Sequence, residues 1–358
     1  MSMIAIRVDA SSQIGTGHFM RCLTLAENLH LRGVVICFVS RYLPQYLRDI
    51  LSEKGYEFIL LDGASSDSFT DELSHSHWLE CSQQRDAQES ALVLSDRTWD
   101  WLIVDHYALD ARWESTLRQT ANKIFVIDDI ADRQHDCDIL LDQNFYSDMY
   151  TRYTDKVPGH CLLLLGPRYA LLRAEFGRLR EKVKPRTGPV KRILVFFGGI
   201  DADNYTQCTL DALADISLDG IHVDVVIGSQ HPYRKDIESS CTERGFCCYV
   251  QTSHIAELMA SADLAIGAGG SATWERCCLG LPTLTVSLAN NQIEIAKGLD
   301  LSGACQYVGS QQTATVKVLH SAVVELLKDN NRLKEISHRA FSCVDGLGVD
   351  RVCKELLS

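Results

Sequence analysis

Short runs rich in β-branched residues alternate with longer amphipathic segments along nearly the whole chain, and the alternation breaks once and restarts. That rhythm constrains the fold more than any other feature. Strands separated by helix-length segments are joined by crossovers, which makes the sheets parallel and covers them with helices. In the first half the expected strands are Ile4 to Val8, Val34 to Val39, Phe58 to Leu60, Trp101 to Val104, Ile124 to Ile127, Ile139 to Leu141 and Cys161 to Leu165. Helical periodicity fills the spaces between them, as over Phe19 to Leu31 and Ala111 to Thr120. The polar, Ser-rich stretch 62–90 reads as a loop followed by a short helix.

The break is REKVKPRTGPVKR, residues 180–192, which is basic, holds two prolines and a glycine, and lacks apolar periodicity. It reads as a linker. Beyond it the expected strands are Ile193 to Phe197, Val223 to Ile227, Cys247 to Val250, Leu264 to Ile266, Thr283 to Val286 and Gln306 to Val308, with a helical C-terminal region. The expected domains are residues 1–182, residues 190–342, and a terminal helix over 343–358 that can pack back on the first. The fold class is α/β with two Rossmann-like domains, and a cleft between them is where a small ligand would bind.

A chain of 358 residues fits this division. The net charge of −12 argues against nucleic acid, whose phosphates select basic surfaces. It does not exclude a small anion held by backbone N–H groups. Arg7 and Asp9 interrupt the N-terminal apolar run, so no signal peptide is expected, and apolar stretches such as residues 161–166 are far too short for a membrane span. A cytoplasmic monomer, without membrane contact, is the expectation. Fourteen scattered cysteines then read as buried thiols, and neither Cys247-Cys248 nor Cys277-Cys278 has zinc-site spacing. His75 and His77 could share one face of a strand, but no second ligand pair follows. Neither a metal nor a cofactor is expected.

Four loops each follow an expected strand and precede an expected helix, which puts them where open parallel sheets bind ligands. The first, DASSQIGTGH (9–18), has Gly15 and Gly17 for a tight turn and His18 at the helix start. It lacks the third glycine of a dinucleotide fingerprint. A helix N-terminus favours neutral imidazole, a usable base near neutral pH, although a lone histidine there could equally cap or pack. The second, FFGGIDADN (196–204), offers the N–H groups of Gly198 and Gly199 to a phosphate, with Asp201 or Asp203 as the helix cap. The third, AIGAGGSATWERCCLGLP (265–282), places Gly269, Gly270 and Ser271 before a helix carrying Glu275, whose carboxylate could accept both hydroxyls of a ribose. The fourth, SLANNQIEIA (287–296), clusters Asn290, Asn291 and Gln292, which can read sugar hydroxyls or acetamido groups or simply cap the helix. The adjacent Asp128 and Asp129 invite a glycosidase reading, but neighbours on an extended chain point to opposite faces.

Together, RVDASSQIGTGHFMRCLTLA, DHYALD, IDDIADRQHDCDILLDQN, YALLRAEF, FFGGID, GAGGSATWERCCLGLP and ANNQ resemble the UDP-sugar hydrolases of bacterial pseudaminic acid biosynthesis. These enzymes release UDP from UDP-2,4-diacetamido-2,4,6-trideoxy-β-L-altropyranose, and their wider superfamily is the GT-B glycosyltransferases. The resemblance implies UDP held mainly by the second domain, its diphosphate at Gly198, Gly199, Gly269, Gly270 and Ser271 and its ribose at Glu275. It implies His18 as a general base activating water for inverting attack at the anomeric carbon. It also implies a sugar that meets Asp9, Tyr107 and Asn291, with Gly15, Gly17 and Gln292 lining its site. The family commonly has Ser where this chain has Ile200, which removes one hydroxyl from the phosphate loop.

Overall fold

The computed structural model describes residues 2–11, 13–62 and 71–358. Its strands are β1 Met3–Val8, β2 Val35–Ser40, β3 Glu57–Leu60, β4 Trp99–Asp105, β5 Ala121–Ile127, β6 Ile139–Asp142 and β7 Leu162–Leu165, then β8 Arg192–Phe196, β9 His222–Ile227, β10 Cys247–Val250, β11 Leu264–Ala268, β12 Thr283–Ser287 and β13 Gln306–Ser310. Every strand expected from the apolar runs is present, with ends displaced by at most three residues. The expected helices run Gly17–His30 and Ala111–Leu117. In the stretch 62–90, the helix Gln83–Val93 begins after a 3₁₀ turn, Ser76–Trp78, while residues 63–70 lie outside the described residues.

Two all-parallel sheets result, with orders β3-β2-β1-β4-β5-β6-β7 and β10-β9-β8-β11-β12-β13. In each, the winding reverses beside the first strand, between β1 and β4 in one sheet and between β8 and β11 in the other. Beyond the carboxyl ends of the strands at such a reversal, a parallel sheet leaves a crevice between diverging loops. Both faces of the first sheet are buried: Ile4, Ile6 and Val8 pack on one side, Ala5, Leu102 and Val104 on the other. Double burial is why these strands read as near-continuous apolar runs.

The described chain divides into two compact units. One comprises Met1–Asn144, Asp148–Leu171 and Gly348–Ser358; the other Phe145–Ser147 and Leu172–Leu347. The helix Gly348–Leu356 belongs to the first unit, where Val349, Val352, Cys353 and Leu356 join the core formed by β1 and the helix Gly17–His30. The indole Nε1 of Trp101 donates to the Leu356 carbonyl at 2.9 Å. The start of this helix passes so close to Ala170 that a Cβ on Gly348 would lie 2.3 Å from its carbonyl oxygen.

Candidate active site

The loop after β1 is pinned before the helix begins. The Gly15 N–H donates to the Ser11 carbonyl at 2.8 Å, and the Ser11 hydroxyl accepts from the Ile14 N–H at 3.1 Å. This closes a turn in which Gly15 has φ +78°, a conformation that costs a side-chain-bearing residue about 1 kcal/mol or more. The helix then starts at Gly17, which aims His18 down toward the sheet, where it is only 9% exposed. Its partner ends the neighbouring strand: Val8 of β1 lies in register with Asp105 of β4. His18 Nδ1 stands 2.6 Å from Asp105 Oδ1. A carboxylate only accepts, so the proton sits on Nδ1, and in the neutral ring Nε2 carries the lone pair.

Arg21, one helical turn after His18, holds that carboxylate from the other side. Its Nε and Nη2 donate to Asp105 Oδ2 and Oδ1 at 2.6 and 2.7 Å, and its Nη1 donates to Asp129 Oδ2 at 2.8 Å. Burial would raise the Asp105 carboxyl, but Arg21 and His18 outweigh it and hold Asp105 well below the usual carboxylate range. Asp129 follows β5 and also takes hydrogen bonds from the Tyr107 hydroxyl and Asn144 Nδ2. Asp128 diverges from it, accepting from the Ala131 N–H and lying 2.9 Å from Arg133 Nη1. The ring of Tyr107 stands edge-on to His18 at 4.6 Å and stacks on Trp78 at 5.3 Å, with His75 against both. His75 and His77 lie at the 3₁₀ turn Ser76–Trp78 rather than in a strand.

Two of the expected sugar contacts are engaged elsewhere. Asp9 is fully buried and chelated by Arg7, whose Nη1 and Nη2 donate at 2.6 and 3.1 Å, and it accepts from the Arg41 N–H at 2.7 Å. Burial would raise its carboxyl, but Arg7 and His106 hold it well below the usual range. Asp9 therefore braces the strand-end loops from beneath. Arg7 and Arg41 are shared with Asp86, so four charged side chains neutralise one another inside the unit. Tyr107 is 4% exposed with its hydroxyl on Asp129, and what it presents to the His18 ring is its own ring.

In the second unit the glycine loops flank the reversal point. Gly198, with φ +96°, and Gly199 follow β8; Gly269, Gly270 and Ser271 follow β11, its neighbour in the sheet. Close backbone approach demands glycine at Gly267, where a Cβ would lie 2.3 Å from the Phe196 carbonyl oxygen. A Cβ at Gly198 or Gly199 would meet nothing within 4 Å, and Ser271 is exposed at the start of the helix Ala272–Cys278. The N-cap of the helix Tyr205–Ala214 is Asn204, whose side chain accepts from the Gln207 N–H at 3.3 Å, rather than Asp201 or Asp203. Asp201 accepts from the N–H groups of Tyr205 and Thr206 at 2.9 and 2.7 Å, and Asp203 meets Gln311. Ile200 is 42% exposed. Glu275 lies 3.5 Å from Arg173, and burial raises its carboxyl against the pull of Arg173 and Arg276.

Asn291 is exposed in the first turn of the helix Asn290–Leu301. Gln292, expected to contact sugar, turns back instead: its Oε1 accepts from the Leu288 N–H at 2.9 Å, and its amide lies over Gly269 and Gly270. Arg276 is buried beneath the same turn. It donates to the Ala268 carbonyl at 2.7 Å, but its Nε and Nη1 have no hydrogen-bond partner among the described residues. Among the described residues no group of three His, Cys, Asp or Glu converges to hold a metal ion, and no helix is long and apolar enough to cross a membrane.

Asp105, Arg21 and Arg276 escaped the reading of the sequence, and Asp129 entered it only as the neighbour of Asp128. A signal existed for Arg21: three residues beyond His18, it is a charge on a helix face that is otherwise apolar. Arg276 gave the same signal one residue past Glu275.

Comparison with known proteins bears on the fold that carries these residues. Residues 192–347 match the glycosyltransferase family 28 C-terminal domain. The chain is 25% identical over 299 residues to an uncharacterized protein of Methanocaldococcus jannaschii, covering 81% of this chain but only 56% of that protein. It is 23% identical to the Bacillus subtilis spore coat polysaccharide biosynthesis protein SpsG over 98% of this chain and 96% of SpsG. It is 25% identical to the Campylobacter jejuni UDP-2,4-diacetamido-2,4,6-trideoxy-β-L-altropyranose hydrolase over 84% of this chain and 97% of that enzyme. Among solved structures, Acinetobacter baumannii MurG aligns over 100% of this chain and 99% of its own, with TM-score 0.66 and 14% identity. Phytolacca americana UGT2 aligns over all of both chains with TM-score 0.70 and 10% identity. With two parallel-sheet α/β domains that align over their full length with these glycosyltransferases, the chain has the GT-B fold.

Proposed function

We propose that the chain is a UDP-sugar hydrolase acting on a UDP-linked diacetamido-trideoxy hexose of the altropyranose type. The observation that carries this reading is the His18–Asp105 pair, a buried imidazole whose Nδ1 is fixed by an ionised carboxylate and whose Nε2 can take a proton. In the proposed reaction His18 Nε2 removes a proton from water as the water oxygen bonds to the anomeric carbon with inversion. The bond from that carbon to the UDP oxygen breaks, and UDP leaves with the electron pair. The imidazolium formed is compensated by Asp105. The N–H groups of Gly198, Gly199, Gly269 and Gly270, with the Ser271 hydroxyl, would take the diphosphate, Glu275 the ribose and Asn291 the sugar. The relative from Campylobacter jejuni supports hydrolysis and the sugar class.

A glycosyltransferase reading has its own support in the family 28 match over residues 192–347. There an acceptor hydroxyl would replace water at the same base. The test incubates the purified protein with the UDP-diacetamido-trideoxy-altrose in ¹⁸O-water containing EDTA. Hydrolysis predicts UDP and free sugar without an acceptor, with the heavy oxygen in the sugar. Label in UDP would place attack at phosphorus and remove His18 from the role given to it. Release only after adding an acceptor would establish the transferase.

A further inference from the structure

We propose that Arg21 is a positioning residue for the base: forked between Asp105 and Asp129, its guanidinium locks His18 in the Nδ1–H tautomer and opposes accumulation of the imidazolium before water arrives. This rests on the reading of His18 as base.

The argument is geometric. Arg21 Nη2 stands 3.1 Å from His18 Nδ1, and both nitrogens reach the same oxygen, Asp105 Oδ1, at 2.7 and 2.6 Å. Two N–H donors cannot bond to each other, so they share that acceptor and the guanidinium charge presses on the ring. Arg21 sets a second full charge, opposite in sign to Asp105, beside the ring, while its hydrogen bonds keep Asp105 ionised. Asp129, 2.8 Å from Nη1, anchors the far side of the fork.

The other groups around the ring are few. Cys22, on the same helix, donates to Asp105 Oδ2 at 3.4 Å. Tyr107 follows β4, and Arg133 lies 5.9 Å over its ring. The 3₁₀ turn brings His75, with His77 stacked behind it, and Trp78. Asn144, which donates to Asp129, follows Asp142, a carboxyl pushed up to about 8 by burial and by Asp129. Of these, only Arg21 and Asp105 carry full charge within hydrogen-bond distance of His18. With Arg21 present, the Asp105–Arg21–Asp129 cluster carries one net negative charge. Removing Arg21 leaves two, and neutralising Asp129 leaves none.

That arithmetic makes the test specific. The pH–rate profile for release of UDP from the proposed substrate is measured for wild type, Arg21→Gln, Arg21→Lys, Asp129→Asn and His18→Asn. The inference predicts that the acid limb moves up by about one to two pH units in Arg21→Gln and moves down in Asp129→Asn, with Arg21→Lys between wild type and Arg21→Gln. ¹⁵N spectra of histidine-labelled protein at high pH, with His18 identified by its loss in His18→Asn, should show the Nδ1–H tautomer in wild type and a mixture in Arg21→Gln. Acid limbs that stay in place, or that move together, and an unchanged tautomer would reduce Arg21 to a packing role and overturn the inference. A His18→Asn variant at near wild-type rate would instead overturn the base itself. If Arg21→Gln does not fold, the downward movement in Asp129→Asn and the tautomer in Arg21→Lys still decide.

Discussion

Replacing Asp105 with Asn removes one charge and reverses one hydrogen bond without changing volume. The carboxylate is fully buried and lies 2.6 Å from His18 Nδ1. With charge centres about 4 Å apart and an effective dielectric near 20, the carboxylate stabilises the imidazolium formed in the transition state by about 4 kcal/mol. At 1.36 kcal/mol per decade this is about a thousandfold in rate. The amide adds a second fault. Arg21 donates to both oxygens of Asp105, so it will claim the amide oxygen and turn the NH₂ group toward His18. That arrangement favours the other tautomer, in which Nε2 carries the proton and cannot accept one. We therefore expect kcat to fall by about three to four orders of magnitude with KM nearly unchanged. The assay follows UDP release by a coupled enzyme across pH 5–9, with urea unfolding to confirm that the variant is folded. A folded Asp105→Asn enzyme within about tenfold of wild-type kcat would refute the Asp105–His18 mechanism.

Four further outcomes follow from side chains described above or packed beside them. Asp142 accepts from Arg152 and from the Asn144 N–H at 3.0 Å, and burial and Asp129 push its carboxyl up to about 8. Because that value lies above the unfolded one, this group erodes stability as pH climbs from about 4 toward 8, and Asp142→Asn should flatten that part of the urea-midpoint curve. His135 sits 2.7 Å from Glu114, whose charge, together with Asp128, overcomes burial and raises the imidazole to about 9. Its stabilising contribution is complete below about pH 6.5 and lost as pH rises through 9, so His135→Gln should lower the urea midpoint much more at pH 6 than at pH 10. Arg276→Met removes the donor that holds the Ala268 carbonyl under the glycine turn. Calorimetry should show UDP affinity weakened by about tenfold with uridine affinity unchanged; an equal loss for both would contradict a diphosphate site at this turn. Leu356→Ala should cost about 2–4 kcal/mol in urea unfolding, because its side chain is 3% exposed in the core of the first unit.

The architecture was legible because parallel strands buried on both faces advertise themselves as apolar runs, and helix-length spacers leave few alternatives for connecting them. The glycine loops were legible for a related reason: Gly267 and Gly198 occupy positions where a side chain would collide or the backbone would be strained. Polar residues were harder to place, since sequence shows which are present but not which neutralise one another. Asp9 was expected at a sugar only through the resemblance; Arg7 lies two residues before it, but Arg41, which follows β2, meets it only in the folded unit. Asp105 sat in plain view in DHYALD, but nothing local connects it to a histidine 87 positions earlier. Their meeting depends on the register between β1 and β4, which a single sequence does not disclose.

The helix Gly348–Leu356 gives the first unit a particular relation to its own synthesis. Four of that unit's core side chains, Val349, Val352, Cys353 and Leu356, lie downstream of every strand of both sheets, and Trp101 waits for the Leu356 carbonyl across 255 positions of chain. On the ribosome, the sheet β1–β7 is complete long before that helix exists, and its helix-facing groove stays wet while residues 172–347 form a core of their own. The later unit can therefore finish folding first. A product truncated before Gly348 would keep every strand and both candidate sites in its sequence, yet expose the apolar face that this helix covers, which marks it for chaperones or proteases rather than for activity.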